Sequence, residues 1–204
     1  MSALPADATV QRAVRRALDA GAHSADAALA EGDSFEARVR DREIDFVKQA
    51  RERVLGIRAF VAGPGGLRTA ITSTSDLAPD TIDRMAAETV ALARATAPDP
   101  AAGLPEDGFA DALPDLGLFA AEDRNVAVEA RIEEARRAEA AARALDPRIA
   151  NSEGSQVGSG FRRATYANSA GFAGSYESAS HSLFCEPLAR EGEAMQRDYW
   201  MTVA

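Results

Sequence analysis

Apolar residues recur at helical spacing near the start of the chain. Val10, Val14, Ala17 and Leu18 fall on one face of a helix, and polar residues fill the other face. Gly21 follows at a position where glycine commonly ends a helix. The pattern therefore predicts a first helix that ends before Gly21 and packs through its apolar face.

The helical period then gives way to strict alternation. Between Asp33 and Arg40, apolar and charged residues alternate, which is typical of a strand with one face in water. A tight turn is expected at Asp41-Arg42, followed by a strand from Glu43 to Lys48. The apolar side of the first of these strands consists of Phe35, Ala37 and Val39.

Two further strands are expected, from Arg53 to Ala62 and from Leu67 to Ser73. The glycine- and proline-rich segment Gly63–Gly66 between them predicts a hairpin loop, because glycine accepts positive φ and proline fixes its own φ. It lacks the Lys-Ser/Thr and the following helix of a phosphate-binding loop. The pattern indicates an antiparallel meander of about four strands with helices packed on it.

A second helix is predicted to begin near Pro79, because proline fits the first turn of a helix. Asp80 and Asp83 suit the positive end of the helix dipole. The side that is expected to pack on the sheet consists of Ile82, Met85, Ala86, Thr89, Val90 and Ala93.

The segment from Ala97 to Gly117 is rich in Pro, Gly and Asp and predicts a domain boundary. We therefore divide the chain into an N-terminal α+β domain over 1–100, a connection over 101–117 and a second α+β segment over 118–204. The connection is expected to lie against the surface through its apolar residues, which are Leu104, Phe109, Leu113 and Leu116.

A third helix is predicted from Asn125 to Leu145, and Asp146-Pro147 ends it. The helix is rich in alanine and charge, and the spacing favours the i,i+4 ion pairs Glu133–Arg137 and Glu139–Arg143. These charges are expected to form a solvated face.

The last third of the chain predicts strands over Phe161–Ala167, Phe172–Cys185 and Ala194–Val203. Turns are expected at Asn168–Gly171 and Arg190–Glu193. The preceding NSEGSQVGSG, with Gly154, Gly158 and Gly160, lacks the spacing of a dinucleotide fingerprint. It is interpreted either as a bulged polar strand or as an exposed edge that an extended peptide could pair with.

Composition restricts the function further. The net charge is −9 and Lys48 is the one lysine, so direct nucleic-acid binding is not expected. The single cysteine, the absence of an apolar signal segment and the absence of an apolar run of membrane-spanning length favour a cytoplasmic protein without a membrane partner.

The residues that could carry chemistry are few. His181 and Cys185 are four apart on a predicted strand, which places them about 13 Å apart on one face, too far to share a metal. His23 is expected to cap the first helix or lie at the surface, and Cys185 to be a small buried apolar residue. We therefore predict no catalytic, cofactor-binding or metal-binding residue in these 204 residues.

Several segments resemble one protein family. The segment DPRIANSEGSQVGSGFRRATYANSAGF, which begins at Asp146, and EGEAMQRDYW (Glu191–Trp200) resemble the middle segment of the TldD/PmbA family, long labelled modulators of DNA gyrase. GIRAFV (Gly56–Val61) and the stretch from Ile71 to Pro100 are similar to the N-terminal domain of the family. The closer branch is PmbA, also called TldE.

The resemblance implies a role in processing linear peptides. It implies that TldD-type subunits carry the zinc motif H-E-x-x-x-H downstream of this region, and that PmbA/TldE-type subunits lack it and pair with TldD as a non-catalytic half. No metal-site residue of the family maps onto this chain. Family chains are about twice as long, so this chain is expected to be an N-terminal portion that ends in an incomplete domain.

Three functions remain open at this point. The first is a non-catalytic scaffold subunit with a TldD-type partner that holds the zinc, in a homo- or heterodimer acting on linear peptides. The second is a zinc metallopeptidase whose metal site lies beyond residue 204. The third is a stand-alone peptide- or protein-binding module.

Overall fold

The computed structural model describes residues 4–107, 109–110, 113–120 and 126–204. It has an α+β fold with three helices and an antiparallel sheet, which confirms the predicted fold class. The elements in chain order are α1 (Ala6–Asp19), β1 (Ser24–Arg40), β2 (Glu43–Gly63), β3 (Gly66–Thr74), α2 (Pro79–Ala95), α3 (Val128–Ala144), β4 (Asn151–Asn168), β5 (Ala173–Glu191), β6 (Ala194–Arg197) and β7 (Trp200–Val203).

The strands follow the order β3-β2-β1-β4-β5-β6, and β7 also pairs with β5. The predicted hairpin loop is confirmed, because Gly63 pairs with Gly66 and leaves two residues in the turn. Asp41 and Arg42, with φ of 53° and 69°, form the predicted turn between β1 and β2. Positive φ at both central residues suits the right-handed twist of a hairpin.

The number of strands in the first half was predicted wrongly. Three long strands replace the expected four, because Glu43–Gly63 is one continuous strand and β1 begins at Ser24 rather than Asp33. The predicted strands Glu43–Lys48 and Arg53–Ala62 both lie within β2, and the exposed residues 49–52 that join them have no apolar alternation in the sequence. At the other end of the chain, the predicted strand Ala194–Val203 is divided into β6 and β7.

The chain divides into two compact units. Unit 1 comprises Met1–Glu31, Glu52–Leu116 and Arg163–Tyr176, and unit 2 comprises Gly32–Arg51, Gly117–Arg162 and Glu177–Ala204. The division into domains at 1–100, 101–117 and 118–204 stays a prediction.

In unit 1, α1 and α2 bury their apolar faces with residues of the sheet. Val10, Val14 and Ala17 of α1 are buried as predicted, whereas Leu18 is exposed. All the residues predicted for the inner side of α2 are buried. Asp83 of α2 forms ion pairs with Arg12 and Arg16 of α1 at 2.7 and 3.0 Å. The two helices are thus joined by apolar packing and by charge.

The start of β3 is covered by the chain that follows α2. The backbone N–H of Asp99 donates to the carbonyl oxygen of Leu67 at 2.9 Å, and the N–H of Leu67 donates to Asp99 at 3.2 Å. The Thr96 hydroxyl donates to the carbonyl oxygen of Thr69 at 3.3 Å. Gly66 makes this close approach possible, because an added Cβ would overlap the Asp99 carbonyl group.

The predicted surface contact of the connection is confirmed for two of its residues. The ring of Phe109 stacks on Phe172 with centroids 5.5 Å apart, and Leu113 lies against Gly174. Leu104 is half-buried, whereas Leu116 is exposed. Gly108, Asp111 and Ala112 lie outside the described residues.

In unit 2, α3 packs through Ile132 and Ala135 on Ala37 and Val39 of β1 and Val157 of β4. The predicted start of α3 at Asn125 lies outside the described residues, and the described helix begins at Val128. None of the helices that the structure describes is long and apolar enough to span a bilayer.

The glycine-rich segment NSEGSQVGSG forms the first part of β4. The interpretation of this segment as an exposed edge was wrong, because β4 lies between β1 and β5 in the sheet. Gly154 has a φ of 110°, in keeping with the alternative of a locally irregular, bulged strand. A Cβ added to Gly154 would meet the carbonyl oxygen of Val39 at 2.8 Å.

Gly154→Ala is therefore expected to lower the free energy of unfolding by about 1–3 kcal/mol, through backbone strain and the contact with Val39. Gly192→Ala is the matched control, because Gly192 also has positive φ but has open space around its Cβ position. Chemical denaturation of both variants measures the difference. An equal loss in the two variants would show that the contact with Val39 contributes nothing.

Candidate functional site

The structure keeps the candidate chemical residues apart. His23 follows α1 and is exposed, and its backbone N–H donates to the carbonyl oxygen of Phe60 at 2.7 Å. His181 and Cys185 both lie on β5 and face α3. The His181 ring contacts the Glu134 carboxylate at 3.1 Å, and Cys185 Sγ lies 3.9 Å from the carbonyl oxygen of Ala138.

Glu134 and Ala138 are about one helical turn apart on α3, so His181 and Cys185 contact the same side of this helix. Burial, followed by the negative charge of Glu139, raises the pKa of the Cys185 thiol. A raised pKa disfavours the thiolate, which is the reactive form and the metal-binding form. Cys185 is half-buried and suits packing rather than nucleophilic chemistry.

This donor set does not fit a zinc ion. Zinc requires three or four ligands within about 2.0–2.3 Å of one point. Among the residues that the structure describes, no three His, Cys, Asp or Glu side chains converge in this way. No step of any reaction is therefore assigned to a metal ion in this chain.

Glu139 of α3 was expected on a solvated face, and this expectation was wrong. Its side chain is only 1% exposed. Its carboxylate accepts hydrogen bonds from the backbone N–H groups of Asp41 and Arg42, both at 2.9 Å, and from the Ser152 hydroxyl at 2.6 Å. The predicted ion pair with Arg143 is present at 3.7 Å, and Arg143 also contacts the Asp41 carboxylate.

Burial by itself would raise the pKa of Glu139. The hydrogen bonds from Ser152, Arg42 and Asp41, together with the charge of Arg143, outweigh burial and hold the pKa of this carboxyl below its ordinary value. Glu139 therefore remains a carboxylate that fastens α3 to the turn between β1 and β2. The prediction of a Glu133–Arg137 ion pair was wrong, because Glu133 contacts Arg136 instead, at 3.5 Å.

A second buried carboxylate lies in unit 1, and the sequence analysis did not identify it. Asp26 of β1 is 4% exposed and receives the Arg58 guanidinium in a two-pronged ion pair, with Nε at 3.0 Å. The Tyr166 hydroxyl of β4 donates to Asp26 at 3.0 Å. Burial, and the nearby negative charge of Asp26, raise the pKa of Tyr166. The three residues form a fixed link between three strands.

Unit 2 contains a cavity of about 1310 Å³ beside the first turns of α3. Its walls combine the aromatic rings of Phe35 and Phe161 with the ion pair of Glu134 and His181. No hydrogen bond joins a serine or threonine hydroxyl to His181 within the described ranges, so the geometry presents no activated nucleophile.

Comparison with known proteins finds two matching family models and related sequences. The family model described as PmbA/TldA metallopeptidase domain 1 matches residues 25–93, and the PmbA/TldA metallopeptidase central domain matches residues 121–203. The chain is 34% identical over 196 residues to the metalloprotease PmbA homolog of Haemophilus influenzae, covering 96% of this chain and 42% of that protein. It is 32% identical over 198 residues to metalloprotease PmbA of Escherichia coli O157:H7, covering 95% and 43%.

Solved structures are similar in fold. A putative modulator of DNA gyrase from Bacteroides thetaiotaomicron matches with a TM-score of 0.84 and 28% identity, covering 96% of this chain and 44% of that chain. TldE from Thermococcus kodakarensis matches with a TM-score of 0.78 over 95% of this chain and 42% of that chain, and at 17% identity this likeness concerns the fold alone. The chain spans less than half the length of these relatives.

Proposed function

Because this chain belongs to the PmbA/TldA family of metallopeptidases, we propose that it acts as a non-catalytic scaffold subunit that pairs with a TldD-type zinc metalloprotease. The complex would process linear peptides in the cytoplasm, with the zinc ion held by the partner. The observation that carries the proposal is the identity of 34% and 32% with proteins named PmbA, along nearly the whole of this chain.

The hydrogen-bond partners of the two buried carboxylates support a scaffold role for this chain. Among the acids that the structure describes, Asp26 and Glu139 are the two most buried, and each accepts hydrogen bonds from donors on other elements of its own unit. A carboxylate whose oxygens already accept several hydrogen bonds is poorly placed to ligate a metal ion or to act as a general base. These residues stabilise the scaffold instead.

A second candidate is a zinc metallopeptidase whose metal site lies beyond residue 204. The names of the curated relatives favour it, since they are called metalloproteases, and this chain matches only 42–43% of their length. Reading the gene past Ala204 separates the candidates, because an H-E-x-x-x-H motif there would support the second.

The proposed pairing predicts complex formation. When this chain is co-expressed with the TldD-type protein of the same genome, we expect the two to co-elute in size-exclusion chromatography with light scattering, and the mixture to cleave an unstructured peptide. The purified chain alone is expected to show neither cleavage nor stoichiometric zinc by elemental analysis. Zinc together with peptide hydrolysis by the pure chain would overturn the scaffold proposal.

A further inference from the structure

The first half of β2 forms a border of the sheet in unit 2. β3 pairs with β2 through Leu55–Gly63, so within the described residues β1 is the one strand neighbour of residues 43–51, which we call the β2 border. The β2 border lies across the sheet from β6 and β7. A border strand presents backbone N–H and C=O groups that a further strand can pair with.

The side chains of the β2 border are mostly exposed, and they include apolar ones. Ile44 is 46% and Val47 is 44% exposed, and the side chain of Arg51 is 84% exposed. Apolar side chains on an unpaired border strand favour pairing with another strand, because pairing brings them beside cross-strand neighbours.

Successive side chains of the β2 border point to opposite faces of the sheet. Gln49 and Arg51 line the cavity beside α3. Phe46 and Lys48 lie together on the other face, with the Lys48 Nζ atom 4.5 Å from the centre of the Phe46 ring. The odd-numbered residues therefore share one face and the even-numbered residues share the other.

The charges of the β2 border follow a self-complementary order. Its acids, Glu43 and Asp45, stand in the first half, and its bases, Lys48 and Arg51, stand in the second half. When two copies of this segment run antiparallel, the acidic half of each copy lies opposite the basic half of the other. Opposite charges that face each other across two strands stabilise the pair, and like charges destabilise it.

The register with Val47 opposite Val47 of the second copy suits these side chains best. Its other facing pairs, each formed twice, are Glu43 with Arg51, Ile44 with Ala50, Asp45 with Gln49 and Phe46 with Lys48. Lys48 then faces an aromatic ring, which attracts a cation. A register centred on Lys48 would place two lysines opposite each other, and one centred on Phe46 would place neither acid opposite a base.

This order of charges favours a second copy as the occupant. Charges on a border strand commonly prevent pairing with other strands. A contact related by two-fold symmetry requires that a segment complement itself, whereas a contact with any other segment does not. The existing ion pair of Arg51 with Asp33, at 2.6 Å, is exposed and contributes little in water, so Arg51 can turn to a new partner.

We propose that the β2 border is a self-association edge, through which two copies of this chain pair antiparallel about a two-fold axis at Val47. Formation of this dimer needs no other protein, so it is independent of the proposed pairing with a TldD-type subunit. The contact is short and belongs to the class of small, transient interfaces. Because it occupies the β2 border of both copies, association through this border ends at the dimer.

Charge reversal tests the register. Sedimentation equilibrium of the wild-type chain, from micromolar to millimolar concentration, is expected to show a reversible monomer–dimer equilibrium that higher salt weakens. Glu43→Arg and Arg51→Glu each place like charges opposite each other twice, so each is expected to weaken the dimer by about ten-fold or more. An equimolar mixture of the two variants is expected to associate like the wild type, because each substituted residue then faces an opposite charge.

Glu133→Arg is the matched control. Glu133 is exposed on α3, and its reversal changes the net charge as much as Glu43→Arg does. We expect this control to dimerise like the wild type. Unchanged thermal melting of the variants at low protein concentration shows that a lost dimer is not caused by unfolding.

Amide hydrogen exchange locates the contact. Bonds to the second copy involve alternate residues of an antiparallel ladder. We therefore expect alternate amides within residues 43–51 to exchange more slowly at concentrations where the dimer forms, and to exchange fast in the monomer.

The remaining outcomes decide against the proposal. A wild-type chain that stays monomeric up to millimolar concentration overturns it, and so does a dimer that neither charge reversal weakens or that the mixture fails to restore. Slow exchange of these alternate amides in a monomer at the length of the relatives also overturns it, because the chain itself then covers the border. A complex with the TldD-type protein is measured separately, so either proposal can fail while the other stands.

Discussion

Glu139→Ala is expected to lower the free energy of unfolding by about 3–5 kcal/mol. The substitution removes the common acceptor of two backbone N–H groups and the Ser152 hydroxyl, and it leaves the Arg143 charge without its buried partner. Chemical denaturation measures the total loss. Amide hydrogen exchange at Asp41 and Arg42 is expected to accelerate, because their N–H groups lose their acceptor.

Glu133→Ala is the matched control. Glu133 lies on the same helix and forms an exposed ion pair with Arg136, which contributes little in water. We expect this control to change stability by less than about 0.5 kcal/mol. Comparable losses in the two variants would show that the buried hydrogen bonds of Glu139 contribute no more than an exposed ion pair.

The lowered pKa of Glu139 determines whether this residue makes the folded protein more or less stable as the pH falls. A carboxyl with a lower pKa in the folded state than in the unfolded state contributes stability above its unfolded pKa of about 4.3, and this contribution is lost as the pH falls through the folded pKa. Glu139→Gln carries no titrating proton. Its stability is therefore expected to fall less than that of the wild type as the pH drops below about 5.

Arg58→Met is expected to lower the free energy of unfolding by about 2–4 kcal/mol. The substitution leaves the carboxylate of Asp26, which is 4% exposed, with the Tyr166 hydroxyl and without a countercharge. This loss is smaller than that expected for a fully buried ion pair, because the Arg58 side chain is 39% exposed and partly solvated. Thermal and chemical denaturation measure the loss.

Two further variants separate the possible causes. Arg51→Met breaks an exposed ion pair with Asp33, and Arg51 lies on the same strand as Arg58, so we expect this variant to change stability little. The double variant Asp26→Leu with Arg58→Met is expected to recover much of the loss, since buried pairs are often replaced by apolar residues without penalty. A double variant that is less stable than Arg58→Met would show that the pair itself, and not the stranded charge, stabilises unit 1.

Local periodicity was sufficient to predict the helices. The inner face of α2 could be read from the sequence because its apolar residues recur at 3.6-residue spacing and Pro79 marks the first turn. The two-residue hairpin after Gly63 could be predicted for the same local reason. The strand over Glu43–Lys48 was also predicted, but its continuation through residues 49–52 was not, because those residues are exposed and mostly polar.

The buried ion networks could not be predicted, because their members are distant in sequence. Asp26 and Tyr166 are separated by 140 residues, and Glu139 lies 98 residues from Asp41. In the sequence, Glu139 stands among arginines on a helix, which is typical of a solvent-exposed charge. Its position beneath the turn between β1 and β2 is visible only in the structure.

The covering of β3 has a consequence for solubility. Asp99 and Thr96 occupy the outward backbone groups of Leu67 and the carbonyl oxygen of Thr69, so these groups are not available to a strand of another molecule. Uncovered border strands are common starting points for aggregation. The segment after α2 thus protects the protein, at high concentration, from stacking through β3.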